Sequence, residues 1–163
     1  MHVFTYGSLM FAEVWRPLVS GRYASMAAWL AGFARQGVRG ATYPGIVAAP
    51  GKEVRGRLYL DVGPTDLASL DAFEGNEYRR QTVTLELRCE SGLRATLEAQ
   101  AYVLADPHQL NGSAWDVERF ARESAAGFYQ HHASHRQPPV PGTAAALRPD
   151  EARSAGLPPR AER

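Results

Sequence analysis

The hydrophobic pattern begins at the N-terminus, where His2 to Tyr6 are aromatic or β-branched and run straight into Gly7-Ser8. That is the signature of a short strand delivering the chain to a tight turn. Behind the turn, Phe11, Val14, Trp15 and Leu18 recur at helical spacing, and Pro17 limits this piece to a short, imperfect helix. The segment Ser25 to Arg35 carries two signals at once. Its alanines favour helix, whereas Gly32 lies inside it and Gly37 and Gly40 follow, so pattern alone leaves helix and strand tied.

Tyr43 to Val47 is a short run before Val54 to Asp61, which is predicted as a strand because Val54, Leu58 and Leu60 fall on one alternating face. Gly63-Pro64-Thr65-Asp66 then supplies a turn and a helix start, and Leu67, Leu70 and Phe73 line one face of a short helix closed by Gly75. Glu74 is therefore expected at the very end of a helix. Thr82 to Arg88 and Thr96 to Leu104 read as strands of an antiparallel hairpin joined through Ser91-Gly92. After Asn111-Gly112-Ser113 a last helix is predicted from Trp115 to Tyr129, with Val117, Phe120 and Phe128 facing inward. From Gln137 onward the chain is rich in proline and alanine and has no aromatic residue, so it can bury little. The expected organisation is one domain over residues 1–136 and a Pro/Arg/Ala-rich tail over 137–163, with no internal repeat.

Composition narrows the class. With 163 residues, 45% of them hydrophobic, the chain is long enough for one self-sufficient core. Eighteen basic against seventeen acidic residues give a net charge of +1, far from the balance of a nucleic-acid-coating protein. No stretch approaches the roughly 20 apolar residues of a membrane span, and no basic region leads into an apolar run at the N-terminus. A soluble cytoplasmic protein is the expectation, with no nucleic-acid or membrane partner. Cys89 is the single cysteine, which excludes an intrachain disulfide and a cysteine-based zinc cage. It is expected as a packing or edge residue of its strand.

Three short pieces carry candidate chemistry: Tyr6-Gly7-Ser8-Leu9, Leu70-Asp71-Ala72-Phe73-Glu74-Gly75 ahead of Tyr78-Arg79-Arg80, and Ala101-Tyr102-Val103. A strand that enters a glycine turn and then a helix leaves free backbone N–H groups, a natural site for a carboxylate or a developing oxyanion. Its plain alternative is an ordinary strand-to-helix connection. Ser8 lacks a Gly-x-Ser-x-Gly elbow and is assigned as a donor or cap rather than a nucleophile. Glu74, directly after Phe73 at a helix end, is either a partly desolvated proton shuttle or a solvated surface glutamate. His131 and His135 fall on one helical face beside His132, but with no carboxylate or cysteine next to them they read as a solvated helix end. No metal and no cofactor is expected. Arg79 and Arg80, adjacent on a strand, point to opposite faces and do not act together on a phosphate.

Taken together, Tyr-Gly-Ser-Leu after the first strand, Val54-x-Gly56-x-Leu58-Tyr59, Leu70 to Gly75 with Tyr78 and Arg79 close behind, and the later Ala-Tyr-Val strand resemble the γ-glutamylcyclotransferase-like family, including its AIG2-like branch. The resemblance covers roughly residues 1 to 130. It implies an α+β fold, a small mixed β-barrel flanked by short helices, and it places strand at Ser25 to Arg35. By similarity, Gly7, Ser8 and Leu9 bind a small-molecule γ-glutamyl substrate largely through main-chain groups, Tyr6 shapes the loop, Glu74 is the acid/base, and Tyr78 and Tyr102 line the pocket. The implied reaction releases 5-oxoproline and an amine by attack of the substrate's own α-amino group. The alternative is a non-catalytic member that binds a γ-glutamyl compound or another small anion in the same pocket. A third reading, an interaction protein acting through its arginine-containing tail, requires 137–163 to bind a partner. Leu9 stands where glutathione-pathway members commonly carry asparagine, which bears on the substrate.

Overall fold

The computed structural model describes residues 1–123 and 127–128. The expected boundary at 136/137, the tail, and His131, His132 and His135 all lie outside the described residues. Six strands are present: β1 Val3–Thr5, β2 Ser25–Val38, β3 Pro44–Tyr59, β4 Tyr78–Arg88, β5 Arg94–Leu104 and β6 Leu110–Ala114. The helices are α1 Ala12–Trp15, α2 Pro64–Glu74 and α3 Val117–Glu123, with 3₁₀ turns at Ser8–Met10, Gly75–Glu77 and Pro107–Gln109.

The strands run in the order β3-β1-β5-β4-β2, and β2 pairs again with β3, which closes a five-stranded barrel. The β1–β5 pairing is parallel and the others are antiparallel, so the barrel is mixed, as the resemblance implied. β6 pairs with β2 beyond the closure. Closure removes exposed strand edges and makes an interior that side chains must fill. Phe4, Leu30, Ile46, Val54, Leu58, Leu85 and Ala101 fill it. A second apolar layer lies between the barrel and the helices, built from Val3, Leu9, Val14, Trp15, Tyr59, Val62, Leu70, Tyr102 and Phe120. In it the Trp15 and Tyr59 rings stack at 3.6 Å, joining α1 to the barrel wall.

The tie at Ser25 to Arg35 resolves to strand, and β2 continues to Val38. Ala28 and Leu30 are buried while Ala27 and Ala31 are exposed, a period of two that only a strand provides. Helix propensity is overridden because both neighbours, β3 and β4, offer ladder partners. The two runs at Tyr43 to Val47 and Val54 to Asp61 are one strand, β3, interrupted where its register against β2 shifts between Ala31 and Phe33. The hairpin begins earlier than expected, at Tyr78.

Three expectations are corrected or trimmed. Asn111-Gly112-Ser113 forms the middle of strand β6, because pairing with β2 recruits polar residues that carry no strand signal of their own. The last helix is described over Val117–Glu123, with Phe120 buried and Val117 half-buried; most of the remainder to Tyr129 lies outside the described residues. Cys89 is neither a packing nor a strand residue. It is exposed in the turn after β4, where its N–H and carbonyl bond Leu93 and Gly92.

Helix α2 starts as the sequence implies, with Pro64 in its first turn, and ends at Gly75, whose φ of +58° is a conformation that favours glycine. Its N-terminal turn is anchored by the buried Asp66. That carboxylate accepts bonds from the Ser20 N–H (2.9 Å), the Ser20 hydroxyl (2.9 Å), the Gly21 N–H (2.8 Å) and the Tyr23 hydroxyl (2.6 Å). Burial alone would raise its pKa, but the bonds from Ser20, Tyr23 and Gly21 outweigh it and hold the group at about 2. With one end tied to the 20–23 loop, the other end of α2 is directed at the first turn of the chain.

Candidate active site

β1 is flanked on both sides, by β3 and β5, so its C-terminal end is held rigidly where the chain leaves the barrel. Tyr6 turns inward and joins the barrel-core cluster. Its hydroxyl donates to the Tyr102 carbonyl, which ties the loop to β5. Gly7 follows with no room for a side chain: a Cβ there would stand 2.7 Å from Cγ of Pro44. The Gly7 and Ser8 carbonyls accept from the Met10 and Phe11 N–H groups, so the 3₁₀ turn begins at once and the N–H groups of Ser8 and Leu9 precede its first bond.

A cleft opens beside this turn. Tyr6, Gly7, Ser8 and Leu9 line one side; Phe73, Glu74, Glu77, Tyr78 and Tyr102 also line it, together with Tyr43 and Pro44. Every site residue expected from the sequence is thus brought to one cavity. Glu74 is half-buried at the last turn of α2 rather than fully solvated. Ser8 and Leu9 are buried, and the Leu9 side chain belongs to the apolar layer under α1 and α2.

The surrounding hydroxyls are fixed by their own acceptors. Tyr78 donates to the Pro44 carbonyl at 2.7 Å, and Tyr102 donates to Asp71 at 2.8 Å. Asp71 in turn pairs with the Arg80 guanidinium at 3.1 Å. Burial pushes the Tyr6, Tyr78 and Tyr102 phenols well above their ordinary pKa, and the negative charge of Glu74 raises all three further. They remain neutral hydrogen-bonding groups around a carboxylate. The arrangement presents backbone donors, neutral phenols and one helix-end carboxylate to a single small ligand. Among the described residues no group of three or more His, Cys, Asp or Glu is placed to hold a metal ion.

Sequence reasoning did not assign Tyr43, Pro44, Phe73 and Glu77 to the cleft, nor Asp71 to the support of Tyr102. Asp71 and Phe73 sit inside the motif that drew attention to Glu74. Tyr43 donates to Glu77 at 3.0 Å across the cleft, a contact between distant segments that no local pattern announces.

Solved proteins with this barrel define the class. A gamma-glutamyl cyclotransferase superposes with a TM-score of 0.52 at 23% identity, over 65% of this chain and 67% of that one, which shows a shared fold. A protein of Arabidopsis thaliana solved in solution superposes with a TM-score of 0.59 at 29% identity, over 85% and 94% of the two chains. AIG2-like protein D of Arabidopsis thaliana is 33% identical over 129 residues, covering 78% of this chain and 84% of the relative. The chain belongs to the family described as gamma-glutamyl cyclotransferase, AIG2-like, whose model matches residues 3–119. No helix among the described residues is long and apolar enough to cross a membrane.

Proposed function

We propose that this protein is a cofactor-free γ-glutamylcyclotransferase acting in the cytoplasm on small γ-glutamyl amines or γ-glutamyl-amino acids. The observation that carries the proposal is that the Gly7 to Leu9 turn and Glu74, far apart in sequence, line one cleft. A γ-glutamyl compound contains its own nucleophile. Curled in the cleft, its α-amino nitrogen bonds to the γ-carbonyl carbon, a five-membered lactam forms, and the bond from that carbon to the leaving nitrogen breaks. Atoms balance without a further reactant: the protons lost by the α-ammonium group are gained by the departing amine. Glu74 takes a proton from the attacking nitrogen and returns it to the leaving one, so one carboxylate serves as base and then acid. The rest of the rate comes from holding the substrate curled and from loop N–H donors to the carboxylate or oxyanion, commonly a few kcal/mol per donor. Tyr6 fixes the loop, and Tyr78 and Tyr102 shape the far wall.

Substrate choice follows from the lining. Leu9 stands where glutathione-pathway members commonly carry asparagine, and the described lining residues bring two carboxylates, Glu74 and Glu77, and no lysine or arginine. The leaving dipeptide of glutathione carries a peptide amide beyond the carboxylate that any leaving amino acid has, and polar groups stranded there cost roughly 1–3 kcal/mol each. Short γ-glutamyl-amino acids and γ-glutamyl amines are therefore preferred over glutathione.

The test is a screen of γ-glutamyl compounds for 5-oxoproline release, with Glu74→Gln run alongside. Turnover by the wild type and its loss in the variant supports the proposal, and kcat/KM for glutathione beside γ-glutamyl-alanine and γ-glutamyl-ε-lysine tests the preference. A clear preference for glutathione overturns the substrate assignment. Binding of 5-oxoproline without turnover of any compound replaces the enzyme by a ligand-binding member of the family.

A further inference from the structure

Arg35 is the charged residue of β2 nearest the first turn of the chain, paired in the ladder with Ile46. It is half-buried, and it takes part in none of the ion pairs found among the described residues. Its guanidinium instead donates to the Tyr6 carbonyl oxygen at 2.7 Å. The guanidinium carbon lies 5.3 Å from the centre of the Trp115 ring, and the indole N–H of Trp115 is itself held by the Thr42 carbonyl at 2.8 Å. A half-buried cation held against an anchored indole and donating to one backbone carbonyl is an expensive arrangement for packing alone.

The carbonyl it holds belongs to the peptide unit whose N–H is that of Gly7. All described peptide bonds are trans, so this C=O and N–H point in opposite directions. Arg35 lies against the basin on the other side of the turn, with Met10 and Phe11, and does not line the cleft, whereas Gly7 does. The Gly7 N–H is thus turned away from Arg35. A charged donor on the carbonyl withdraws electron density through the amide, and hydrogen bonds in such a chain strengthen one another.

We propose that Arg35 is a positioning residue that locks the Tyr6–Gly7 peptide and strengthens the Gly7 N–H as a donor to the reacting γ-carbonyl oxygen. The proposal rests on the cyclotransferase reading for the identity of that acceptor, but not for the polarised peptide itself. Burial pulls the Arg35 pKa below its ordinary value, yet an arginine so placed stays charged through the physiological range.

Amide NMR spectra of the full chain and steady-state kinetics, on Arg35→Met and Arg35→Lys, test it together. Methionine keeps an apolar arm against Trp115 and removes the charge and the bond; lysine restores a charged donor without the flat stacking surface. In Arg35→Met the Gly7 amide proton should move upfield, and kcat should fall about tenfold with little change in KM, because the donor matters most to the developing oxyanion. Arg35→Lys should recover part of both, and it carries the test if the methionine variant does not fold. An unmoved Gly7 resonance in an otherwise native spectrum overturns the proposal, and so does wild-type kcat in Arg35→Met. If the wild type releases no 5-oxoproline from any γ-glutamyl compound, the cyclotransferase reading fails separately, and the Gly7 resonance alone decides whether Arg35 polarises the turn.

Discussion

Helix α2 carries an acid near each end, and the two are used in opposite ways. Asp66, in the first turn, is buried under four donors from Ser20, Gly21 and Tyr23, which hold its pKa at about 2. Glu74, in the last turn, is half-buried and faces a cleft edged by tyrosines whose phenols its charge perturbs. A carboxylate saturated with donors is a permanent anion and a structural pin. One that opens onto a cavity can exchange a proton with whatever enters. Residue type alone does not separate the roles; burial under four donors for Asp66 and a place on the cleft wall for Glu74 do.

The sharpest break in this contrast is Glu74→Gln. The amide keeps the size and cannot shuttle a proton, so 5-oxoproline release should fall by about 10²-fold or more. Stability to urea should stay within about 1 kcal/mol of wild type. Activity within about a factor of two of wild type, a small fraction of a general-base effect, removes Glu74 from the mechanism.

Asp66→Ala should show the reverse profile. It strands the N–H groups of Ser20 and Gly21 and the Tyr23 hydroxyl, and should cost about 2 kcal/mol in urea unfolding, with kcat per folded molecule unchanged. The pH dependence sharpens this. Because the folded pKa lies near 2 and an unfolded aspartate titrates near 4, the Asp66 contribution is fully present above about pH 4 and is lost as pH falls toward about 2. Asp66→Asn should flatten the stability profile in that window. An unchanged acid limb would show that other carboxylates set it.

A smaller effect separates the two halves of the turn. Gly7→Val forces a side chain against Pro44 and should weaken 5-oxoproline binding about tenfold, as read by calorimetry. Ser8→Ala removes at most one hydrogen bond and should stay within about threefold. Loss of all activity in Ser8→Ala, together with a covalent acyl-Ser8 adduct trapped in the wild type and detected by mass spectrometry, would reinstate Ser8 as a nucleophile.

Much of the molecule was legible before any coordinates. Local chemistry sufficed for β1 and its turn, for the start of α2 at Pro64 and its end at Gly75, and for the β4–β5 hairpin. In each, a breaker or a cap stands beside a periodic run, and both act over a few residues. Gly7, Ser8 and Glu74 stood out for the same reason, each at the edge of such an element, whereas Tyr78 and Tyr102 entered through the family resemblance; all five line the one cleft.

Tertiary structure alone decided the rest. Ser25 to Arg35 became strand because β3 and β4 lie on either side of it, and the polar segment Asn111-Gly112-Ser113 became strand because β2 had an edge to offer. Cys89 left the strand because the hairpin turn claimed it. Arg35, Tyr43, Asp71 and Glu77 acquired their roles from partners far along the chain: the Tyr6 carbonyl, each other, Tyr102 and Arg80. Turn and cap preferences are properties of adjacent residues and can be read one window at a time. Ladder partners, desolvation and the donors around a carboxylate exist only once the barrel has closed and brought distant segments together.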